Sequence, residues 1–197
     1  MEFLSRLHHI DKDITLAINS IHCPASDCLW QVFSDKHIWF VLYLAVLIFM
    51  FRNLGWKKAL ICTVSIVLTI VLCDQIGNLS KAYFERLRPC CDLDMMRRGL
   101  RCLSWHRPIE YGFYSAHAAN SMGFAVGTIK AFRLDRSRNY RIYNILILIW
   151  AFMVGLSRIF VGMHFTGDVM TGFCVGAIIA LLMSAAATYA SKTFLKD

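Results

Sequence analysis

Apolar residues gather along this chain in five runs near 37–51, 59–79, 113–132, 142–161 and 168–190, each close to the roughly 20 residues a helix needs to cross a bilayer. The first run is short and stops at Arg52. Ahead of it, residues 11–35 mix Ile14, Leu16, Ile18 and Ile21 with Asp11, Lys12, Asp13 and Asp27, and Pro24 breaks the stretch. That mixture predicts an interfacial helix lying on the membrane. The expected fold is an all-α integral membrane bundle of about five to six transmembrane helices with an N-terminal interfacial helix. One membrane-embedded domain over 1–197 accommodates it, with 1–36 as the interfacial segment and 80–112 as the one long connection.

Five crossings also fix which loops share a side. The end of the second run, the start of the third, the end of the fourth and the start of the fifth open on one face. That face receives 80–117 and 157–168, where most of the chemically interesting polar residues lie. The short connections 52–58 and 130–141 on the opposite face are far denser in Lys and Arg than 1–36. Positive charge in short loops marks the cytoplasmic side. The reading is therefore a multi-pass protein of a bacterial-type inner (cytoplasmic) membrane, its polar cluster on the extracytoplasmic face.

Composition agrees with the pattern. Of 197 residues, 57% are hydrophobic and only 17% charged, with a net charge of +8; a soluble domain has about 45–50% and about 25%. A nucleic-acid binder of this charge would carry a Lys/Arg stripe on a soluble face. Here the basic residues interrupt apolar runs, so no nucleic-acid partner is expected. The segment MEFLSRLHHIDKDITLAINSI lacks the uninterrupted apolar core and cleavage site of a secretory signal and is expected to stay on the chain. Among eight cysteines, Cys62, Cys73 and Cys174 lie inside apolar runs and read as small hydrophobes. On an extracytoplasmic face, Cys102 has Cys90 and Cys91 as candidate disulfide partners.

Three stretches carry the chemistry. In Lys81-Ala-Tyr-Phe-Glu-Arg-Leu-Arg88-Pro89, two cations stand about two helical turns apart and project from nearly one face. Pro89 disfavours helix at Arg88, which predicts that the helix frays there and releases the guanidinium. In Gly112-Phe-Tyr-Ser115-Ala-His117, a serine before an apolar run reads as a helix N-cap. The same helix start offers an anion site, with His117 placed to deliver a proton. In Ser157-Arg158-Ile-Phe-Val-Gly162-Met-His164-Phe-Thr-Gly-Asp168, the acid follows the histidine by four residues and can orient its ring. Arg158 rejoins them only if Gly162 and Gly167 turn the chain. Each stretch alone also has a plain structural reading: a snorkelling pair, a cap, an ion pair. Ionisable groups beside membrane spans are costly, which favours function for the third. By the same rule Asp74, inside the second run, is another functional candidate, but it has no motif partner that assigns it a role; a bond to a neighbouring helix is its plain structural reading.

Together, K-x6-RP at 81–89, YSAH at 114–117 and SR-x5-H-x3-D at 157–168 resemble the tripartite signature of the type 2 phosphatidic acid phosphatase family, which includes the vanadium haloperoxidases. Order and spacing agree, and the helix pattern is similar to that of the family's small bacterial lipid phosphatases. Tyr114 and Ala116 stand where the family's second motif has proline and glycine. The resemblance implies His164 as the nucleophile on phosphorus, Asp168 as the group orienting it, and His117 as the general acid. It implies Lys81, Arg88, Ser115, Arg158 and the backbone N–H near Ala116 as the phosphate holders. Fixed cations then do what a metal does elsewhere, so neither a metal nor another cofactor is expected. Inhibition by vanadate is implied as well.

The expected partners are the membrane and a phosphorylated lipid. Undecaprenyl diphosphate leads as substrate, with lipid A as the alternative and phosphatidylglycerol phosphate or phosphatidic acid behind. The cluster Arg97, Arg98, Arg101 and Arg107 fits a multiply anionic head group, or anionic lipid generally. Two readings from other classes compete. A transporter would show repeated halves with paired broken helices, absent from this sequence. A non-catalytic lipid binder would not need His117, His164 and Asp168.

Overall fold

The computed structural model describes residues 2–103 and 110–194. Arg107, Pro108 and Lys196 lie outside them. The described chain is all-helical: α1 (Glu2–Asn19), α2 (Pro24–Ser34), α3 (Phe40–Leu54), α4 (Trp56–Phe84), α5 (Leu93–Arg97), α6 (Ala116–Phe132), α7 (Arg141–Phe160) and α8 (Thr166–Phe194), with a 3-10 turn at Pro89–Cys91.

The five predicted runs appear as α3, α4, α6, α7 and α8. Of these, α4, α7 and α8 are long and apolar enough to cross a membrane, and α3 is a shorter apolar helix. On their outer sides Val64, Val67, Val71, Ile145, Ile149, Phe152, Ile178 and Leu182 stand exposed, the condition expected of lipid contact. The central element is α6, packed against α8, α4 and α7. Its Ala118, Ala119, Gly123, Ala125 and Gly127 are buried. Small residues let helices approach closely where lipid gives no hydrophobic drive between them. A Cβ added at Gly123 would lie 2.9 Å from Thr69 Cγ2 of α4.

The N-terminal segment forms two helices rather than one over 11–35. Pro24 is the first residue of α2, capped by Cys23, as its fixed φ and missing N–H favour. Part of the polar side of α1 turns inward: Lys12, Thr15 and Asn19 are buried, whereas Leu7, Ile10 and Ile14 on the outer side are 46, 53 and 45% exposed. Asn19 Nδ2 donates to the carbonyls of Arg101, Ile159 and Phe160, and its Oδ1 accepts from the Arg101 N–H at 2.8 Å. Lys12 pairs with Asp92 at 2.7 Å and Asp94 at 3.1 Å. Arg101 forks onto both carboxylate oxygens of Asp27. These bonds bind α1, α2 and the α5 loop to one end of the bundle.

Candidate active site

Each of the three predicted stretches arrives at that end by its own local geometry. Lys81 sits on the last turn of α4, which ends at Phe84 as Glu85 adopts a left-handed conformation (φ 45°). Arg88 is therefore not on the helix with Lys81, a correction to the shared-face expectation. It lies in an extended segment (φ −71°, ψ 154°), the geometry proline imposes on the residue before it. That segment pairs with 110–112: the Arg88 N–H donates to Glu110 O at 2.9 Å and the Gly112 N–H to Arg86 O at 2.8 Å. Gly112 is needed for this approach, since a Cβ there would lie 2.9 Å from Arg88 Cγ and 3.5 Å from His164 Nδ1.

Ser115 is the N-cap of α6, its Oγ accepting from the Ala118 N–H at 3.5 Å. Its hydroxyl proton remains available to an anion beyond the cap. The Ser115 N–H donates to Asp168 O at 3.1 Å, joining the second stretch to the third. Tyr114, where the family has proline, is buried and donates to Cys73 O of α4 at 2.8 Å. Ala116 opens α6 with its N–H on the first turn, and His117 follows.

The third stretch turns as expected at Gly162 (φ 76°). The Met163 and His164 N–H groups both donate to Arg158 O, at 3.0 and 3.2 Å, which folds His164 back over the end of α7. Gly167 serves differently: a Cβ there would lie 2.8 Å from Asp11 Oδ2, so it makes room for α1 instead of turning the chain.

His164 is 2% exposed and Asp168 is fully buried. His164 Nδ1 lies 3.5 Å from Asp168 Oδ2, and its Nε2 lies 3.2 Å from Arg88 Nη1. One ring nitrogen thus faces the acid and the other faces a cation. Burial holds the imidazole well below its ordinary titration range, and the charges of Arg88, Arg158 and Lys81 push it the same way. A neutral ring with a free Nε2 is the nucleophilic form. Arg158, also buried, donates from Nη1 to Ser34 Oγ of α2.

His117 lines a cavity of about 220 Å3 with Lys36, Trp39, Tyr43, Asn120 and Phe124. A second cavity of about 220 Å3, lined by Val46, Met50, Ile66 and Val67, shares Tyr43, Ile70 and Phe124 with it. Asp74 accepts from Asn120 Nδ2 at 2.9 Å and so bonds α4 to α6. Cys90, Cys91 and Cys102 are free thiols, and Cys90 Sγ lies 3.9 Å from Met163 Sδ. Among the described residues, no cluster of three His, Cys, Asp or Glu gathers at metal-ligand spacing.

Two participants escaped the sequence reading. Arg86, between the motif cations, holds Asp168 Oδ1 at 2.6 Å, and Asp11 holds Arg86 in turn at 2.6 Å. The signal for Arg86 was a third cation beside Arg88. Nothing local pointed to Asp11, which pairs across 75 residues.

The three stretches thus bring His164, Asp168 and the cations Arg86 and Arg88 together at one end of the bundle. The model of the PAP2 superfamily matches residues 58–192, and the chain belongs to that superfamily as a membrane phosphatase that hydrolyses lipid phosphomonoesters. It is 35% identical over 177 residues to a lipid A 4'-phosphatase of Bacteroides thetaiotaomicron, covering 89% of this chain and 75% of the relative. It is 28% identical over 187 residues to a lipid A 4'-phosphatase of Porphyromonas gingivalis, covering 94% and 76%. The fold is similar to that of a transmembrane PAP2-type phosphatidylglycerolphosphate phosphatase of Bacillus subtilis, with a TM-score of 0.75 at 18% identity over 95% of this chain and 89% of that one. The protein is thus an integral membrane protein.

Proposed function

We propose that this chain removes a phosphate monoester from a lipid A-type glycolipid at the extracytoplasmic face of a bacterial inner membrane, through a phosphohistidine on His164. The observation that carries the mechanism is His164 placed with Nδ1 3.5 Å from Asp168 Oδ2 and Nε2 3.2 Å from Arg88 Nη1. The substrate reading rests on the two lipid A 4'-phosphatase relatives, which favour this alternative over the polyprenyl diphosphate placed first from sequence.

On this reading a phosphate oxygen takes over the Arg88 guanidinium, and Lys81, Arg158, the Ser115 hydroxyl and the Ala116 N–H hold the remaining oxygens. His164 Nε2 attacks phosphorus while Asp168 stabilises the charge growing on the ring. His117 protonates the departing sugar oxygen and then takes a proton from the water that cleaves the phosphohistidine. The cavity beside His117 receives the leaving lipid, and the adjoining apolar cavity receives an acyl chain. Residues 1–197 act as one domain in which α3 and α6 cross the bilayer with α4, α7 and α8.

The test is phosphate release by purified wild type and His164→Ala, with chelator present, from lipid A, undecaprenyl diphosphate, phosphatidylglycerol phosphate and phosphatidic acid. Lipid A is expected to turn over fastest, and only with wild type. Faster turnover of undecaprenyl diphosphate would overturn the substrate reading, and an active His164→Ala would overturn the mechanism.

A further inference from the structure

A carboxylate as deeply buried as Asp168 is costly unless it is paired and hydrogen-bonded. Its Oδ2 faces His164 Nδ1 and accepts from the Phe165 N–H at 3.1 Å. Its Oδ1 has one charged partner, Arg86 Nη1 at 2.6 Å. Arg86 is itself fixed on several sides. Its Nη2 donates to Asp11 Oδ2 at 2.6 Å and lies 3.3 Å from His8 Nδ1, while its guanidinium carbon lies 4.3 Å from the centre of the Phe165 ring. Asp11 Oδ1 accepts from the Gly167 N–H at 2.8 Å, one residue before Asp168. A planar guanidinium bridging two carboxylates fixes direction as well as charge.

We infer that Arg86 is a positioning residue for the reaction: bridging Asp11 of α1 and Asp168 of α8, it sets the carboxylate plane that orients His164. Arg88, by contrast, donates to the carbonyls of Tyr111 and Met163 and lies 3.2 Å from His164 Nε2, so it is Arg86 that carries the charge on Asp168 Oδ1. Arg86 also makes α1 part of the catalytic assembly, since the chain from membrane-lying helix to nucleophile runs Asp11, Arg86, Asp168, His164.

This inference rests on the proposed roles of His164 and Asp168, and a double-mutant cycle separates the two. Full-length Arg86→Met, Asp168→Asn and the double variant are compared with wild type for kcat and KM on lipid A in detergent. Arg86→Met is expected to lower kcat about 10–100-fold, as loss of an orienting partner does elsewhere, with KM changed less than about threefold. Arg86→Lys is expected to recover part of that loss. In the Asp168→Asn background, removing Arg86 is expected to cost nothing further, because it acts through Asp168. An unimpaired Arg86→Met beside a crippled Asp168→Asn, or losses that multiply, would overturn the inference alone. A fully active Asp168→Asn would overturn the reading beneath it. Should Arg86→Met fail to fold, Arg86→Lys decides: a kcat loss in wild type that vanishes in Asp168→Asn upholds the role, and an equal effect in both backgrounds, or none in either, refutes it.

Discussion

The two ends of the bundle are held by different forces. Away from the site, Val46, Met50, Leu54, Ile66, Phe124, Phe132, Ile147 and Trp150 form one apolar cluster joining α3, α4, α6 and α7. Phe132 lies 4.8 Å centroid to centroid from Tyr140 and 4.9 Å from Tyr143. At the site end the apolar clusters are small, such as Met95, Leu100 and Phe165. The elements there are joined by Asp11–Arg86–Asp168, Lys12–Asp92 and Arg101–Asp27 instead. Packing is indifferent to angle and tolerates swaps that conserve volume. Charge-assisted hydrogen bonds fix direction, which an attack on phosphorus requires. The distal end therefore governs whether the protein holds together, and the site end governs whether its groups align.

Variants sharpen that contrast. His117→Gln is expected to lower kcat on lipid A by about 10²–10⁴-fold, and less on an aryl phosphate whose leaving group needs no proton; equal losses on both substrates would deny it the acid's role. Gly112→Ala, whose Cβ would crowd Arg88 Cγ at 2.9 Å and so shift the Arg88 side chain, is expected to cost about 10²-fold in activity, as small misplacements at a reacting centre do, with little change in melting temperature. Phe132→Ala is expected to do the reverse, losing about 3–5 kcal/mol of stability through the cavity it leaves while kcat per folded molecule stays within about twofold. Lys12→Met removes the pair to Asp92, which keeps its bonds to the Asp94 and Met95 N–H groups, and is expected to cost about 1 kcal/mol, read as a slightly lowered melting temperature.

The smallest effect is electrostatic. With burial and three cations holding its pKa down, His164 should stay neutral as pH falls through about 6.5, where a free imidazole gains its proton. Ring nitrogen chemical shifts of the substrate-free protein check this. Arg88→Gln removes one of those cations and should move the titration upward; a downward move would contradict the arrangement.

Much of this was legible in the sequence because it is local. The five apolar runs became α3, α4, α6, α7 and α8, and the Gly162 turn brought His164 back to Arg158 as the spacing demanded. Pro89 announced that Arg88 would leave helical geometry, but not that α4 would stop at Phe84 and deliver Arg88 on an extended segment paired with 110–112. That pairing lies between distant stretches and leaves no periodic trace. Asp11 and Arg86 were hidden for the same reason. The N-terminal helix read as amphipathic, yet a one-dimensional pattern cannot say which side faces protein, and Lys12, Thr15 and Asn19 face inward.

With Leu7, Ile10 and Ile14 exposed and Lys12 buried, α1 on the proposed membrane reading would act as a float, lying where hydrocarbon gives way to head groups. His164, the proposed nucleophile, is joined to α1 through Asp168, Arg86 and Asp11 and would inherit its level. Lipids are then sorted by the height at which they carry their phosphate before any pocket has measured their shape, and a membrane of different thickness would shift that waterline without touching a single catalytic residue.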